Sequence, residues 1–164
     1  MKPDVEKFIL DACCGGRHFW IDKDQKNTVF MDVRSVPKGA IELQPSWSVE
    51  PDVIASYCDM PFEDSTFRLV IWDIPHKIKK DKGLITKKYG FLGDKWREEL
   101  PKGFSEIMRV LKPQGVLIFK FNDLDIPFKE VLNLFPVMPI MGTPTKKGVN
   151  NTAFFVYVKN GNVD

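Results

Sequence analysis

Cysteine, histidine and long apolar runs are all scarce in this chain. Its 164 residues include three cysteines and two histidines. Cys13 and Cys14 are neighbours and Cys58 stands far from both, so no cysteine–histidine spacing of a zinc site occurs. The three thiols are expected to be reduced and metal-free. No apolar stretch approaches the roughly 20 residues that span a bilayer. The charged start Met1–Lys7 also lacks the apolar stretch of a signal peptide. These absences argue against a disulfide scaffold and a membrane protein, and a cytoplasmic protein is expected.

An excess of one charge is missing too. Lys and Arg number 24 and Asp and Glu 22, a net charge of +2 that implies no nucleic-acid partner by itself. Its distribution is less even. Between Lys77 and Lys102 nine basic residues face four acids, a local +5 that leaves −3 for the rest. One basic stretch on an acidic body suits an anionic partner; a solvated lysine-rich loop is the plainer reading. With 43% hydrophobic and 28% charged residues, no repeat and no linker, the chain reads as one domain over 1–164. The stretch 77–102 is then an insertion, serving as a substrate-binding segment or a lid.

What is present is a series of short apolar runs, several ending in aspartate. Phe8-Ile9-Leu10 leads to Asp11, Thr28–Met31 to Asp32, Val53–Cys58 to Asp59, and Arg68–Trp72 to Asp73. The first, second and fourth read as buried strands, and the third as a short helix or strand. Arg17 to Asp24 is the only room for a crossover helix between the first two. Apolar residues at 104, 107, 108 and 111 predict a helix over 103–111, stopped by Pro113-Gln114-Gly115. Val116–Phe121 follows as a strand and Pro127–Phe135 as a helix. Val137–Met141 and Thr152–Val158 read as closing strands around a hairpin loop, Gly142–Asn151. Strands alternating with helices predict an α/β fold, largely parallel, with ligands beyond the carboxyl ends of the strands.

The acids stand at those ends. Asp11-Ala12-Cys13-Cys14-Gly15-Gly16 is a loop of small residues open to close approach by a ligand. It lacks the G-x-G-x-x-G spacing of a pyrophosphate loop, and its leading acid suits a cationic or amine-bearing ligand, which disfavours nicotinamide dinucleotides. Asp32, 21 residues on, is placed to hold ribose hydroxyls. Asp59 offers a carboxylate to an exocyclic amine, with Met60 and Phe62 able to pack on a base.

Together these residues resemble the class I S-adenosylmethionine-dependent methyltransferases. The loop Asp11–Gly15 is similar to that family's D-x-G-C-G motif. Asp59–Phe67 resembles its D-x-x-x-L-P-F-x-D-x-S-F-D segment in shortened form, and Glu106–Gly115 its E-x-x-R-V-L-K-P-G-G turn. The resemblance implies a Rossmann-like fold, a single largely parallel sheet with helices on both faces and an antiparallel C-terminal strand. It also implies S-adenosylmethionine held by Asp11, Ala12, Cys13, Cys14 and Gly15 at its methionine end. Asp32 would hold the ribose and Asp59 and Met60 the adenine. Cys13 stands where the family has glycine, and Arg17 where a later glycine is common.

Asp73-Ile74-Pro75-His76 resembles the D-P-P-[YFW] motif of methyltransferases acting on amino groups of adenine or cytosine, with Ile74 and His76 as departures. By that resemblance Asp73 and the Ile74–Pro75 backbone orient the amine, while His76 stacks on the base or serves as a general base. Lys77, Lys79, Lys80, Lys87, Lys88 and Tyr89 would meet phosphates and unpaired bases. The expected partner is a nucleic acid, DNA before RNA. A small-molecule acceptor beneath a 77–102 lid, or a non-catalytic cofactor-binding subunit, are the other readings.

Overall fold

The apolar runs assemble into one seven-stranded sheet in the computed structural model, which describes residues 7–143 and 150–160. The strands are β1 (Ile9–Asp11), β2 (Thr28–Asp32), β3 (Val53–Ile54), β4 (Phe67–Asp73), β5 (Leu111–Asn122), β6 (Met141–Gly142) and β7 (Thr152–Val158). Their order is β3-β2-β1-β4-β5-β7-β6. The first five are parallel, whereas β7 runs antiparallel to both β5 and β6. This is the expected mostly parallel sheet with an antiparallel C-terminal strand.

Side chains alternate across a strand, so register decides which residues share a face. Leu10, Val29, Val70, Leu117 and Tyr157 lie in one row, and every one belongs to the main core. Helix α2 (Trp96–Val110) adds Trp96, Leu100, Phe104, Ile107 and Val110 to that core, and α3 (Phe128–Leu132) adds Val131 and Leu132. Full burial of each such side chain contributes about 1.5–3 kcal/mol. The sequence places the start of this helix at Gly103, seven residues too late. Trp96 and Leu100 extend the apolar stripe by two turns, and they hold the helix through Pro101, which forfeits one backbone hydrogen bond. Glu98 and Glu99 in the first turn suit the positive end of its dipole.

The opposite face is built differently. No helix forms over Arg17–Asp24, where turns run instead. The side chains of these turns do the covering: the Arg17 guanidinium lies 3.8 Å above the Phe30 ring, Trp20 packs edge-on to Phe30, and Phe19 packs on Phe154. Arg17 also donates to the carbonyls of Lys23 and Glu50, which ties two loops together without a helix. Helices on both faces are therefore replaced here by α2 and α3 on one face and these turns on the other. Helix α1 (Leu84–Tyr89) contributes Leu84 to a small satellite cluster of Ile41, Trp47 and Val49.

Of the two closing strands, Thr152–Val158 forms over the expected residues and the first is shorter than expected. Only Met141 and Gly142 of the 137–141 run and its neighbour pair with β7. Pro136 and Pro139 lack the N–H groups a ladder needs, and Val137, Met138 and Ile140 stay exposed. Most of the expected hairpin loop, residues 144–149, lies outside the described residues. After α2 the chain enters β5 through an irregular step. Phe67 pairs with Leu111 but Leu69 with Val116, and Gln114 takes a positive φ of 63°. The expected stop at Pro113–Gly115 is thus a bulge inside the strand.

Candidate active site

The carboxyl ends of β1, β2, β4 and β5 meet around a cavity of about 1110 Å³. Asp11, Asp32, Asp73 and Lys120, one from each strand, line it. Strand register fixes two of them side by side: Asp73 pairs directly with Lys120.

The loop after β1 is shaped by two of the carboxylates. The Gly15 N–H donates to Asp32 Oδ2 at 2.9 Å, and the Arg34 N–H donates to Asp32 Oδ1 at 2.9 Å. Gly15 has φ +48°, and nothing lies within 4 Å of where a side chain would begin. A ligand can therefore approach the backbone there. Asp11 is buried, accepts from the Cys13 N–H and from the Trp20 indole, and burial pushes its pKa up to about 7. The charges of Asp73 and Asp32 push the same way, while the two donors pull it back. Burial also raises the Cys13 and Cys14 thiols, with the neighbouring aspartates adding to the effect, so both are inert thiols rather than nucleophiles. All three cysteines are free.

Asp73, Ile74, Pro75 and His76 all border the cavity. Lys120 Nζ donates to Asp73 Oδ2 at 2.6 Å. Burial raises the Asp73 pKa, and Lys120 and His76 oppose that rise. Burial keeps the His76 imidazole below its ordinary pKa, so it is neutral at pH 7. Ile74 is buried in the core, which anchors the turn. Tyr89 and Phe91, both partly exposed aromatics, stand on the cavity wall with Lys102.

The structure brings together Asp11, Ala12, Cys13, Cys14, Gly15, Asp32, Asp73, Ile74, Pro75, His76 and Tyr89. It does not bring Asp59 and Met60 to the cavity. A turn closed by a Ser56–Asp59 bridge puts Ser56, Tyr57 and Cys58 on the wall and leaves Asp59 exposed. Met60 is a core residue whose backbone is clamped by α2: its N–H donates to Glu106 and its carbonyl accepts from Arg109. The E-x-x-R segment thus acts as a brace for residues 60–64 and stands outside the cavity wall.

Lys77, Lys79, Lys80, Lys87 and Lys88 do not line the cavity either. Lys77 is paired with Asp81, and Lys88 is buried beside the Trp47 and Tyr89 rings. Lys79, Lys80 and Lys87 are exposed. The basic stretch is divided between a loop, α1 and the start of α2, and its residues Tyr89, Phe91, Leu92, Glu98, Glu99 and Lys102 border the cavity. Several residues of the cavity wall escaped the sequence reading, Phe19, Ser56, Tyr57 and Lys120 among them, as did Trp20, which holds Asp11 from outside the wall. Lys120 was signalled by a lone charge inside an apolar strand run, and Trp20 by a bulky aromatic in a stretch read as helix.

Among the described residues no helix is long and apolar enough to cross a membrane, and no three His, Cys, Asp or Glu gather to hold a metal.

No family model and no curated protein matches the chain. Solved structures do. The PH0226 protein of Pyrococcus horikoshii OT3 superposes with a TM-score of 0.58 at 20% identity, covering 93% of this chain and 81% of that one. The N-methyltransferase NodS of Bradyrhizobium japonicum WM9 gives 0.58 at 11% identity, over 93% and 85%. A SAM-dependent methyltransferase of Methanosarcina mazei gives 0.51 at 15% identity, over 98% of both. The likeness is one of fold: the sheet and its order define the class I methyltransferase fold.

Proposed function

We propose that this chain is an S-adenosylmethionine-dependent methyltransferase whose acceptor is an exocyclic amino group of adenine or cytosine in nucleic acid, DNA in preference to RNA. The observation that carries the reading is Asp73, a strand-end carboxylate in the cavity, beside the open Gly15 backbone and the Asp32 carboxylate. The residues present fit the cofactor. Gly15 leaves room for close approach, Asp32 keeps lone pairs that would hold ribose hydroxyls beyond its two N–H partners, and the acids Asp11, Asp32 and Asp73 on the wall would suit a cationic sulfonium. A cavity of about 1110 Å³ is ample beside the ~300–1,000 Å³ of ordinary ligand sites.

The cofactor supplies an activated methyl group. Asp73 accepts a hydrogen bond from the amine and aims its lone pair, so catalysis is orientation and electrostatics without a covalent intermediate. The neutral His76 imidazole stacks on the base or takes the proton released after transfer. Tyr89 and Phe91 offer aromatic faces to an unpaired base, and Lys79, Lys80 and Lys87 give exposed charge for phosphates. The fold match to NodS, itself an N-methyltransferase, agrees with a nitrogen acceptor.

A small-molecule acceptor is the second reading. It is favoured by the backbone bonds from Leu92 to Lys77 and Gly93 to Ile78, which close a wall beside the cavity. Transfer of labelled methyl from S-adenosylmethionine, offered DNA, RNA and a small-molecule extract together, separates the two. Label in nucleic acid that is lost in Asp73→Ala supports the first. Label confined to the small-molecule fraction overturns it.

A further inference from the structure

Lys120 is the one lysine on β5 that reaches the cavity from inside the sheet. It alternates with buried Phe119 and Phe121, so its side chain leaves the opposite face of the strand and reaches the cavity. Register makes it the lateral neighbour of Asp73, and its Nζ contacts Oδ2 alone. Among the described residues no group donates a hydrogen bond to Asp73 Oδ1. The ammonium is itself steadied by a cation–π contact, with Nζ 5.5 Å from the centre of the Phe19 ring. Side chains of Asp73 and Lys120 are 31% and 27% exposed, so solvent reaches the pair and the unused oxygen.

We propose that Lys120 is a positioning residue for Asp73: it holds Oδ2 from the adjoining strand, fixes the carboxylate rotamer, and leaves Oδ1 as the acceptor for the incoming amine. This rests on the reading of Asp73 as the group that orients the acceptor. The charge environment explains why such a residue is needed. Asp73 is half-sunk, and burial favours its protonated form. A protonated carboxyl would donate where the amine needs an acceptor. Lys120, in direct contact, is the main counterweight, and His76 adds to it only once protonated.

Removing an adjacent cation raises a carboxylate pKa by about one to three units. The test is a carbon-detected NMR titration of the Asp73 carboxyl in the whole chain, in wild type, Lys120→Met and Lys120→Arg. Lys120→Gln stands in if the methionine variant does not fold. The Asp73 midpoint is expected to rise by about one to three pH units in Lys120→Met and to return towards wild type in Lys120→Arg. In the methyl-transfer assay the acidic limb of kcat/KM moves by the same amount, with KM for S-adenosylmethionine unchanged. An unshifted midpoint overturns the proposal, and so does a shift that arginine does not reverse, since that reports lost packing rather than lost charge. The underlying reading fails separately, if Asp73→Asn transfers methyl as well as wild type whatever the titration shows.

Discussion

The indole N–H of Trp20 donates to Asp11 Oδ2 at 2.7 Å, joining the turns that follow β1 to the last residue of that strand. The bond places a large aromatic over a carboxyl that is only 2% exposed. It makes the loop at the cavity wall a closed unit, with Asp11 at its centre.

That burial has a pH signature. The Asp11 pKa rises from 3.8 to about 7, with desolvation the main cause. A carboxyl raised in the folded state gives its full contribution below pH 3.8 and loses it as pH climbs to about 7. Asp11→Asn keeps an acceptor for Trp20 and cannot ionise. Relative to wild type, it is expected to gain about 2–3 kcal/mol between pH 5 and pH 8. Urea denaturation of both proteins at the two pH values measures the difference; parallel changes with pH would show that Asp11 does not titrate in this window.

Arg109 is expected to matter more for stability than for chemistry. Its guanidinium donates to the Met60 and Phe62 carbonyls, to Asp64 and to both oxygens of Glu106. Arg109→Ala strips a fork of charge-assisted bonds at a site 30% exposed and should cost about 2–3 kcal/mol. A lysine at this position carries the charge without the planar fork, so Arg109→Lys should recover less than half. Thermal denaturation of wild type and the two variants decides it. Equal melting of Arg109→Lys and wild type would rule out a role for the fork.

This brace marks where the sequence is legible. Sheet content and the Asp11, Asp32 and Asp73 strand ends follow from short apolar runs cut by acids, a local signal, while the antiparallel direction of β7 was implied by the family resemblance alone. Asp59 and Met60 looked equally well placed, because linear order cannot tell that a Ser56–Asp59 turn rotates them away and that Glu106 and Arg109 bind the segment from 46 to 49 residues off. The same applies to α2, whose first two turns depend on Trp96 and Leu100 finding the core despite Pro101. Lys120 becomes meaningful only through its register with Asp73. What was lost in the sequence is long-range pairing; what was kept is local pattern.

Gly103 couples the core to the site. A β-carbon there would lie 2.5 Å from Tyr57 Cδ2 and 2.9 Å from Trp72 Cζ2, and Tyr57 is on the cavity wall. Helix propensity favours alanine by about 1 kcal/mol, but overpacking of this kind costs about 1–3 kcal/mol. Trp72 is fully buried in the core and does not give way easily, so Gly103→Ala should be destabilised on balance. Displacement of Tyr57 should also weaken S-adenosylmethionine binding, read by calorimetry. A variant as stable as wild type would show that both rings shift freely.

Asp32 offers the sharpest test of the cofactor site, because it acts twice. Oδ2 accepts the Gly15 N–H and so sets the loop, while the carboxylate also faces the cavity. S-adenosylmethionine at 100 times its Kd should stabilise wild type by about 2.7 kcal/mol, visible as a raised Tm. Asp32→Ala removes both the loop acceptor and the ribose partner, and should weaken binding at least tenfold, about 1.4 kcal/mol. Asp32→Asn has one acceptor oxygen for the two N–H groups of Gly15 and Arg34, so it should keep the loop in part and lose the charge-assisted bonds. Its affinity is therefore expected to fall between the other two. NAD should give no shift with any of the three, since the loop has no pyrophosphate spacing. If Asp32→Ala keeps the full Tm shift, the carboxylate is only a loop brace and the cofactor lies elsewhere in the cavity.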